Sequence, residues 1–483
     1  MTGFPLNDGA LRVADVASRF EGLTRAAQKA ALDLLRVDGP RNGIFPLTTA
    51  QQRLWFSAVL NADLPLYNVP YAFHLIGDVD AAALEYAIAA LVRRHEMLRT
   101  VFFEIGGEPF QAVLPKVTVP LELLRCPPHR GTGLQQVLDA EAADLFDLRY
   151  GPLIRAKLLT DGRSEHFFLL TLHHVVCDGW SMAIIFRELS EFYQAFREQR
   201  PPRLTPLPDS FFAVAARQED REQARRPALL RYWREHLAGA PDVLSLPSDY
   251  PRPAVTRHRG SQVIFTWPAE IRESVERFAA ARHTTVFATV LAAFTALLHL
   301  YTRDEDLLIG APASGRGSIE AEDLVGFFVN TLALRLRPSG AMSFAALLEQ
   351  VHEVSLTAQV HQDLPFEVLV ESLQVPREPS HHPLVQVFFV VLAAENEVLR
   401  LPGALCEMMH GHSGTSKFDF TLSLISVPEG FRGVAEYDAD LFRRESVVRT
   451  IADLLSVLTQ GTAAPDRPIG SLPLAEAPRS GDA

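Results

Sequence analysis

The segment HHVVCDGWS, His173 to Ser181, gathers two imidazoles, a thiol, a carboxylate and a hydroxyl in a short stretch. It continues the apolar run HFFLLTL, which reads as a buried strand. Neighbouring side chains of a strand point to opposite faces, so His173 and His174 do not share one cleft. One is structural and the other is available for proton transfer. Asp178 and Gly179 supply a turn beyond the strand end, and Ser181 is placed to cap the following helix. Such strand ends are where α/β proteins commonly hold ligands. A metal site fits poorly, because adjacent strand histidines diverge and no second ligand cluster stands nearby. A nucleophilic Cys177 fits poorly too, since no partner that would lower its pKa is evident in the sequence.

The elements around this segment alternate. YAFHLIG reads as a strand, and DVDAAALEYAIAALVRRHEMLRT as a helix capped by Asp80. Leu84, Ile88, Leu91 and Val92 fall on one face of that helix. SMAIIFRELSEFYQAF predicts the helix after the histidines, and a Pro- and Arg-rich stretch follows from about Arg200 to Arg226. Beyond it, SQVIFTW, DLLIGAPASG, VQVFFVVLAA, FDFTLSLIS and GVAEYD read as strands. PAEIRESVERFAAARH and TVFATVLAAFTALLHLYT read as helices, the second of them buried. A short amphipathic helix is expected over residues 22–36, and the tail GTAAPDRPIGSLPLAEAPRSGDA has the composition of a linker. The chain is therefore divided into an N-terminal segment 1–44, a lobe 45–215, a lobe 216–462 and a linker 463–483, with both lobes mixed α/β.

The 483 residues carry a net charge of −12 with 48% hydrophobic residues. This balance argues for a globular protein and against nucleic-acid binding, which needs a basic face. Three cysteines (Cys126, Cys177, Cys406) without a C-x-x-C make a disulfide framework or a structural zinc improbable. No basic patch followed by an apolar run opens the chain, and Val286–Leu300 is too short and polar to span a bilayer, so neither a signal peptide nor a membrane span is expected and the cytoplasm follows by default.

HHVVCDGWS resembles the HHxxxDG signature of nonribosomal peptide synthetase condensation domains. Other segments resemble further family motifs in the family's order: LTTAQQRLWF (47–56), RRHEMLRTVF (93–102), IGAPASGRGS (309–318), GFFVNT (326–331), HQDLPFEVLVE (361–371) and HHPLVQVFFV (381–390). The resemblance covers residues 45–465. One segment departs from it: DSFFAVA (209–215) stands where the family has Tyr-x-Asp-Tyr-Ala-x-Trp, which questions the local packing at the junction of the lobes.

The resemblance implies two chloramphenicol-acetyltransferase-like lobes in a V-shaped pseudo-dimer with an active-site channel between them. It implies an acyltransferase that forms an amide bond. The donor acyl or peptidyl thioester and the acceptor aminoacyl thioester are carried on phosphopantetheine arms of two peptidyl carrier proteins. No cofactor or metal is bound by the domain itself. An adenylation domain is expected beside it in one polypeptide, and the excised domain is expected to be a monomer. The motifs look more like the subtype joining an L-donor to an L-acceptor. His174 becomes the central residue, as proton acceptor or as positioner of the amine, with His173 the structural neighbour. An α-amino group has a pKa of roughly 7.7–8, so a strong base is not essential. Asp178 is expected to shape the site by pairing with a motif arginine, Arg99 first and Arg94 second. Gly179 is a candidate oxyanion donor, Trp180 a packing residue and Ser181 a support. Asn330 and Ser314 are the channel candidates, Asn330 serving either substrate amides or backbone groups of a turn. A noncatalytic docking module and a free-standing acyltransferase for a diffusible amine or alcohol are the alternatives.

Overall fold

The helix expected over DVDAAALEYAIAALVRRHEMLRT forms over Ala81–Arg94, and its expected last residues instead make a 3-10 turn, Glu96–Arg99, and open a strand at Thr100. Asp80 accepts the N–H of Ala83 at 3.0 Å as N-cap, and Leu84, Ile88, Leu91 and Val92 are fully buried. The computed structural model describes residues 27–28, 43–125, 132–162, 164–244, 246–376, 378–393, 399–409 and 411–475. The helix expected over 22–36 lies outside these apart from residues 27–28, as do Cys126 and the end of the tail.

Along the chain the elements are β1 (Ile44–Pro46), α1 (Thr49–Leu60), β2 (Asn68–Gly77), α2 (Ala81–Arg94), β3 (Thr100–Ile105), β4 (Glu108–Val113), β5 (Leu121–Arg125), α3 (Thr132–Ala143), β6 (Ile154–Thr160), β7 (Glu165–His173), α4 (Gly179–Arg197) and α5 (Phe211–Leu237). There follow β8 (Gly260–Pro268), α6 (Ala269–Ala281), α7 (Val286–Thr302), β9 (Leu307–Ala313), β10 (Asn330–Leu336), α8 (Phe344–Val360), α9 (Phe366–Ser372), β11 (Val387–Ala393), β12 (Ala404–Met409), β13 (Phe420–Val427), β14 (Gly430–Asp438) and α10 (Arg444–Ala463). The Pro- and Arg-rich stretch up to Arg226 is helical from Phe211.

The chain folds as two units. The first comprises the described residues of Met1–Arg221, Arg316–Val329 and Glu395–Ser413; the second comprises those of Glu222–Gly315, Asn330–Ala394 and Gly414–Ala483. This departs from the contiguous lobes expected from sequence. Two later segments return to the first unit because their partners are there: β12 pairs antiparallel with β2, and residues 316–329 bond to the start of α4. The expected linker 463–483 also differs, since Ile469 and Leu472 are buried and the Ile469 N–H donates to the Met342 carbonyl at 2.8 Å.

In the first unit a five-stranded sheet runs β12-β2-β7-β6-β5, with only β5 and β6 parallel. A smaller sheet runs β1-β4-β3. β7 is central, and every residue from His166 to His173 is buried. Helices α2 and α4 close one face through a core of Leu84, Ile88, Leu91, Phe168, Leu170, Ile185 and Phe186. A separate cluster combines Val175 and Val176 with Trp55, Phe211, Phe212, Phe327 and Phe328. The divergent segment 209–215 belongs to it: Phe212 stacks on Phe45 at 3.8 Å and Phe211 meets Phe328 edge-on at 4.8 Å.

The second unit has a six-stranded mixed sheet, β10-β9-β11-β13-β14-β8. Its core centres on α7, which lies against α6, α8 and α10 and is buried from Ala288 to His299. The polar residues that interrupt α7 are satisfied locally. Thr289 and Thr295 donate to the carbonyls of Thr285 and Leu291, at 3.0 and 2.7 Å. Among the described residues no single helix is long and apolar enough to cross a membrane.

Candidate active site

The strand β7 ends at His173, opposite Asn68 of β2, and His174 opens a short 3-10 turn, His174–Val176. The two histidines are separated by this change of backbone. His173 is buried between Tyr67 and Phe146, and its Nδ1 accepts the N–H of Val175 at 3.2 Å. A ring nitrogen that accepts a backbone N–H carries no proton, so neutral His173 is protonated on Nε2. His174 is only partly buried, and its Nδ1 lies 2.7 Å from the carbonyl oxygen of Cys177. A carbonyl only accepts, so Nδ1 is the donor, and in the neutral ring the lone pair sits on Nε2. The adjacent histidines therefore hold opposite tautomers. The His174 backbone is held by its N–H to the Tyr67 carbonyl at 2.8 Å, and its ring meets Phe327 edge-on at 5.2 Å.

Asp178, not Ser181, caps α4. Asp178 has the extended backbone of an N-cap, and its Oδ1 accepts the Ser181 N–H at 2.7 Å. Ser181 stands in the first turn, fully buried, where its hydroxyl serves the segment 316–329. It lies 2.7 Å from Asp178 Oδ1 and 2.9 Å from the Gly326 carbonyl, and accepts the Gly326 N–H at 3.1 Å. Asp178 Oδ2 accepts the N–H of Phe328 at 3.1 Å.

The arginine on Asp178 is Arg316. Its Nη2 reaches Asp178 Oδ1 at 2.9 Å, both side chains are almost wholly buried, and its guanidinium lies over the Phe328 ring at 4.4 Å. This corrects the expectation of Arg99 or Arg94. Arg99 donates to the carbonyls of Val92 and Leu114. Arg94 pairs with Glu188, a buried carboxylate that also holds His95 at 2.7 Å. Glu188 lies ten residues beyond Asp178, about 15 Å of helix rise away, so the end of α2 meets α4 far from its cap. The Asp178 carboxylate is engaged by Arg316, Ser181 and Phe328, which makes it a structural anchor. Arg316 lies in SGRGS, within a segment whose resemblance was legible, but nothing in its spacing names Asp178 as partner.

Gly179 is exposed at the first position of α4, where helix N–H groups have no intrahelical acceptor. Trp180 is 44% exposed, and its indole N–H donates to the Glu322 carbonyl at 3.0 Å. It is a tether for residues 316–329 more than the packing residue expected. Arg187 adds an ion pair to Asp323 at 2.7 Å.

The channel candidates lie in the second unit. Ser314 is exposed just after β9. Asn330 begins β10 with its amide fully engaged: Nδ2 donates to the carbonyls of Gln362 and Leu364 at 2.7 Å each, and Oδ1 accepts from Thr331 and Phe366. Of the two roles foreseen for it, the geometry favours holding backbone, and the substrate-binding role is withdrawn because two donors and two acceptor sites are the amide's whole capacity.

The model of the condensation-domain family matches residues 41–479. This chain belongs to that family. The condensation domain is 38% identical over 436 residues to malpinin synthetase of Mortierella alpina, covering 89% of this chain and 6% of that protein. It is 37% identical over 438 residues to the phosphinothricin tripeptide synthetase PhsB of Streptomyces viridochromogenes, covering 89% and 37%. The chain thus spans well under half the length of these relatives. Among solved structures, the X-domain from teicoplanin biosynthesis matches with a TM-score of 0.78 at 28% identity, covering 89% of this chain and 97% of that one. The first condensation domain of the calcium-dependent antibiotic synthetase matches in fold, with a TM-score of 0.78 at 24% identity, covering 89% and 99%.

Proposed function

We propose that this condensation domain forms the amide bond of a nonribosomal peptide synthetase, with His174 at the reacting centre. The observation that carries the reading is the 2.7 Å bond from His174 Nδ1 to the Cys177 carbonyl, which makes Nε2 the basic nitrogen of the ring. The acceptor's amine nitrogen attacks the donor thioester carbonyl. Its proton passes to His174 Nε2, or is held there by a hydrogen bond while the tetrahedral centre forms. The C–S bond then breaks, and the departing sulfur takes the proton. The products are an amide on the acceptor arm and a free thiol on the donor arm. The exposed Gly179 N–H at the start of α4 suits the developing oxyanion, aided by the positive end of the helix.

Both substrates arrive on phosphopantetheine arms of donor and acceptor carrier proteins, so the domain needs no cofactor of its own. An adjacent adenylation domain, an L-donor with an L-acceptor, and a cytoplasmic setting complete the reading. Relatives that are large synthetases support it, among them a probable non-canonical nonribosomal peptide synthetase of Salinispora arenicola at 37% identity.

The competing reading is a docking module, favoured by one observation: a structural neighbour is an X-domain in complex with OxyB. Loading matched donor and acceptor carrier proteins and following transfer by mass spectrometry separates the two. The condensed product should appear on the acceptor arm, and His174→Ala should slow it by about 10²–10⁴-fold, the range of general acid–base catalysis. Absence of product with several matched pairs rules the catalytic reading out, whereas full activity in His174→Ala rules out His174 as the reacting centre. Turnover with a diffusible amine and no acceptor carrier would instead assign a free-standing acyltransferase.

A further inference from the structure

The carbonyl that holds the His174 backbone belongs to a strand end that is itself tied to a helix terminus. His174 donates its N–H to the Tyr67 carbonyl at 2.8 Å, and the next residue, Asn68, is the register partner of His173 where β2 meets β7. The Asn68 side chain is buried and directs both amide hydrogens at the far end of α3: Nδ2 donates to the carbonyls of Ala142 at 2.8 Å and Asp144 at 2.7 Å. The last carbonyls of a helix have no intrahelical donor, and side-chain donors placed there also meet the negative end of the helix dipole. Arg155 of β6 completes the cap. Its guanidinium donates to the carbonyls of Glu141, Asp144 and Leu145 at 3.2, 2.8 and 3.3 Å, and to the buried Glu141 carboxylate at 2.9 Å. The same guanidinium lies 3.9 Å over the Phe146 ring, and Phe146 meets the His173 ring edge-on at 6.2 Å. The end of α3 is thus fastened to β2 and β6. From there two contacts run to the histidine pair: the Tyr67 carbonyl to the His174 backbone, and the Phe146 ring to His173. All of these residues belong to the first unit.

We propose that Asn68 is a positioning residue for His174: by capping α3 it fixes the end of β2, and that end sets where the His174 backbone enters the 3-10 turn. The inference rests on the reading of His174 given above. Asn68 touches no reacting atom in this role. It acts through the backbone bond between Tyr67 and His174, and a shift of about 1 Å there displaces the imidazole by a similar distance. A carboxamide suits the place because one nitrogen supplies two N–H donors to two carbonyls, whereas a carboxylate of the same size supplies none.

The test compares wild type, Asn68→Ala, Asn68→Asp, Asn68→Ser, His174→Ala and the double variant Asn68→Ala/His174→Ala in condensation with loaded carriers at several acceptor concentrations. Exchange of the His174 backbone N–H is followed in parallel by NMR of 15N-histidine-labelled protein. His174→Ala provides the assignment, and the His166 N–H, in the same strand opposite Leu75, serves as reference. Asn68→Ala should lower kcat by about 10- to 100-fold with KM for the acceptor carrier unchanged, the scale for a slightly misplaced group. Asn68→Asp, of equal size but without a donor, should lose at least as much. Asn68→Ser keeps one donor and should lie between Ala and wild type. The His174 N–H should exchange faster in Asn68→Ala while the His166 N–H keeps its rate. The double variant should be no slower than His174→Ala alone, whereas a general loosening of the fold would slow that background as well. Retained kcat in Asn68→Ala and Asn68→Asp, unchanged exchange of the His174 N–H, a loss carried by KM, or an equal loss in the His174→Ala background overturns the inference. Full activity in His174→Ala overturns instead the reading of His174, and is seen without touching Asn68. Should Asn68→Ala fail to fold, the kcat and N–H exchange of Asn68→Ser carry the same decision.

Discussion

Two buried helices, α4 in the first unit and α7 in the second, solve the problem of their polar groups in different ways. In α7 the buried threonines bond to carbonyls four residues back, and Thr285 caps the start by accepting the Ala288 N–H. The bonds of these threonines all fall within α7 and its cap, while Tyr301 at its end donates to Asp453 at 2.6 Å. In α4 the capping aspartate and the first-turn serine bond to residues 135–150 positions away, at Arg316, Gly326 and Phe328. The difference teaches that the start of α4 is completed only when a distant segment arrives. The proposed reacting group, His174, stands just ahead of that start, whereas the threonines of α7 bond only locally.

The sharpest way to break this comparison is to remove one apolar and one charged linchpin. Arg316→Met leaves the buried Asp178 carboxylate without its cation and should cost about 3–5 kcal/mol. Phe294→Ala in the middle of α7 should cost a similar amount, about 3–5 kcal/mol, through its cavity. Urea unfolding measures both losses. The two variants should then part: folded Phe294→Ala keeps its turnover per molecule, while Arg316→Met loses turnover as well. Equal turnover in the two would remove the distinction between the helices.

Asn330 extends the α4 pattern into the second unit, since its amide ties β10 to the loop before α9. Asn330→Ala strands the carbonyls of Gln362 and Leu364 and should cost about 1–3 kcal/mol in unfolding experiments. The acceptor's KM should stay unchanged. A rise in KM without loss of stability would restore the substrate-binding role.

The smallest effect concerns Asp438, at the end of β14. Burial, with Asp419 and Asp440 nearby, raises its pKa from 3.8 to about 6, against the bond from the Asp440 N–H and the opposing charge of Arg252. A raised carboxyl pKa means the folded state holds the proton more tightly than the unfolded one. Its contribution to stability is complete below the ordinary value of 3.8 and is lost as pH rises through about 6. Asp438→Asn keeps the acceptor oxygen and should flatten that part of the stability–pH curve, gaining most above pH 6. An unchanged slope in denaturant titrations across this window would refute the assignment.

Much of the fold was legible because its signals are local. The helical face of Leu84, Ile88, Leu91 and Val92, the Asp80 cap, and the buried strand before His173 each follow from residues a few positions apart. Strands β5, β6 and β12 were not separated by pattern alone, and β12 is defined by its pairing with β2, far earlier in the chain. The return of residues 316–329 to the first unit was invisible for the same reason. The position of Arg316 could have been suspected from SGRGS, but a guanidinium finds its carboxylate through tertiary geometry, and Arg94 and Arg99 offered equal charge nearer in sequence.

The sequence by itself determined the family and the motif, because these depend on residue types and spacing, while His173 and His174 part company through the 3-10 turn that begins at His174. Only the tertiary structure decided which nitrogen of each histidine carries the proton, which arginine answers Asp178, that Asp178 and not Ser181 caps α4, and that Asn330 is committed to backbone. Each of those outcomes turns on one hydrogen-bond partner brought close by the fold, a fact that spacing along the chain does not contain.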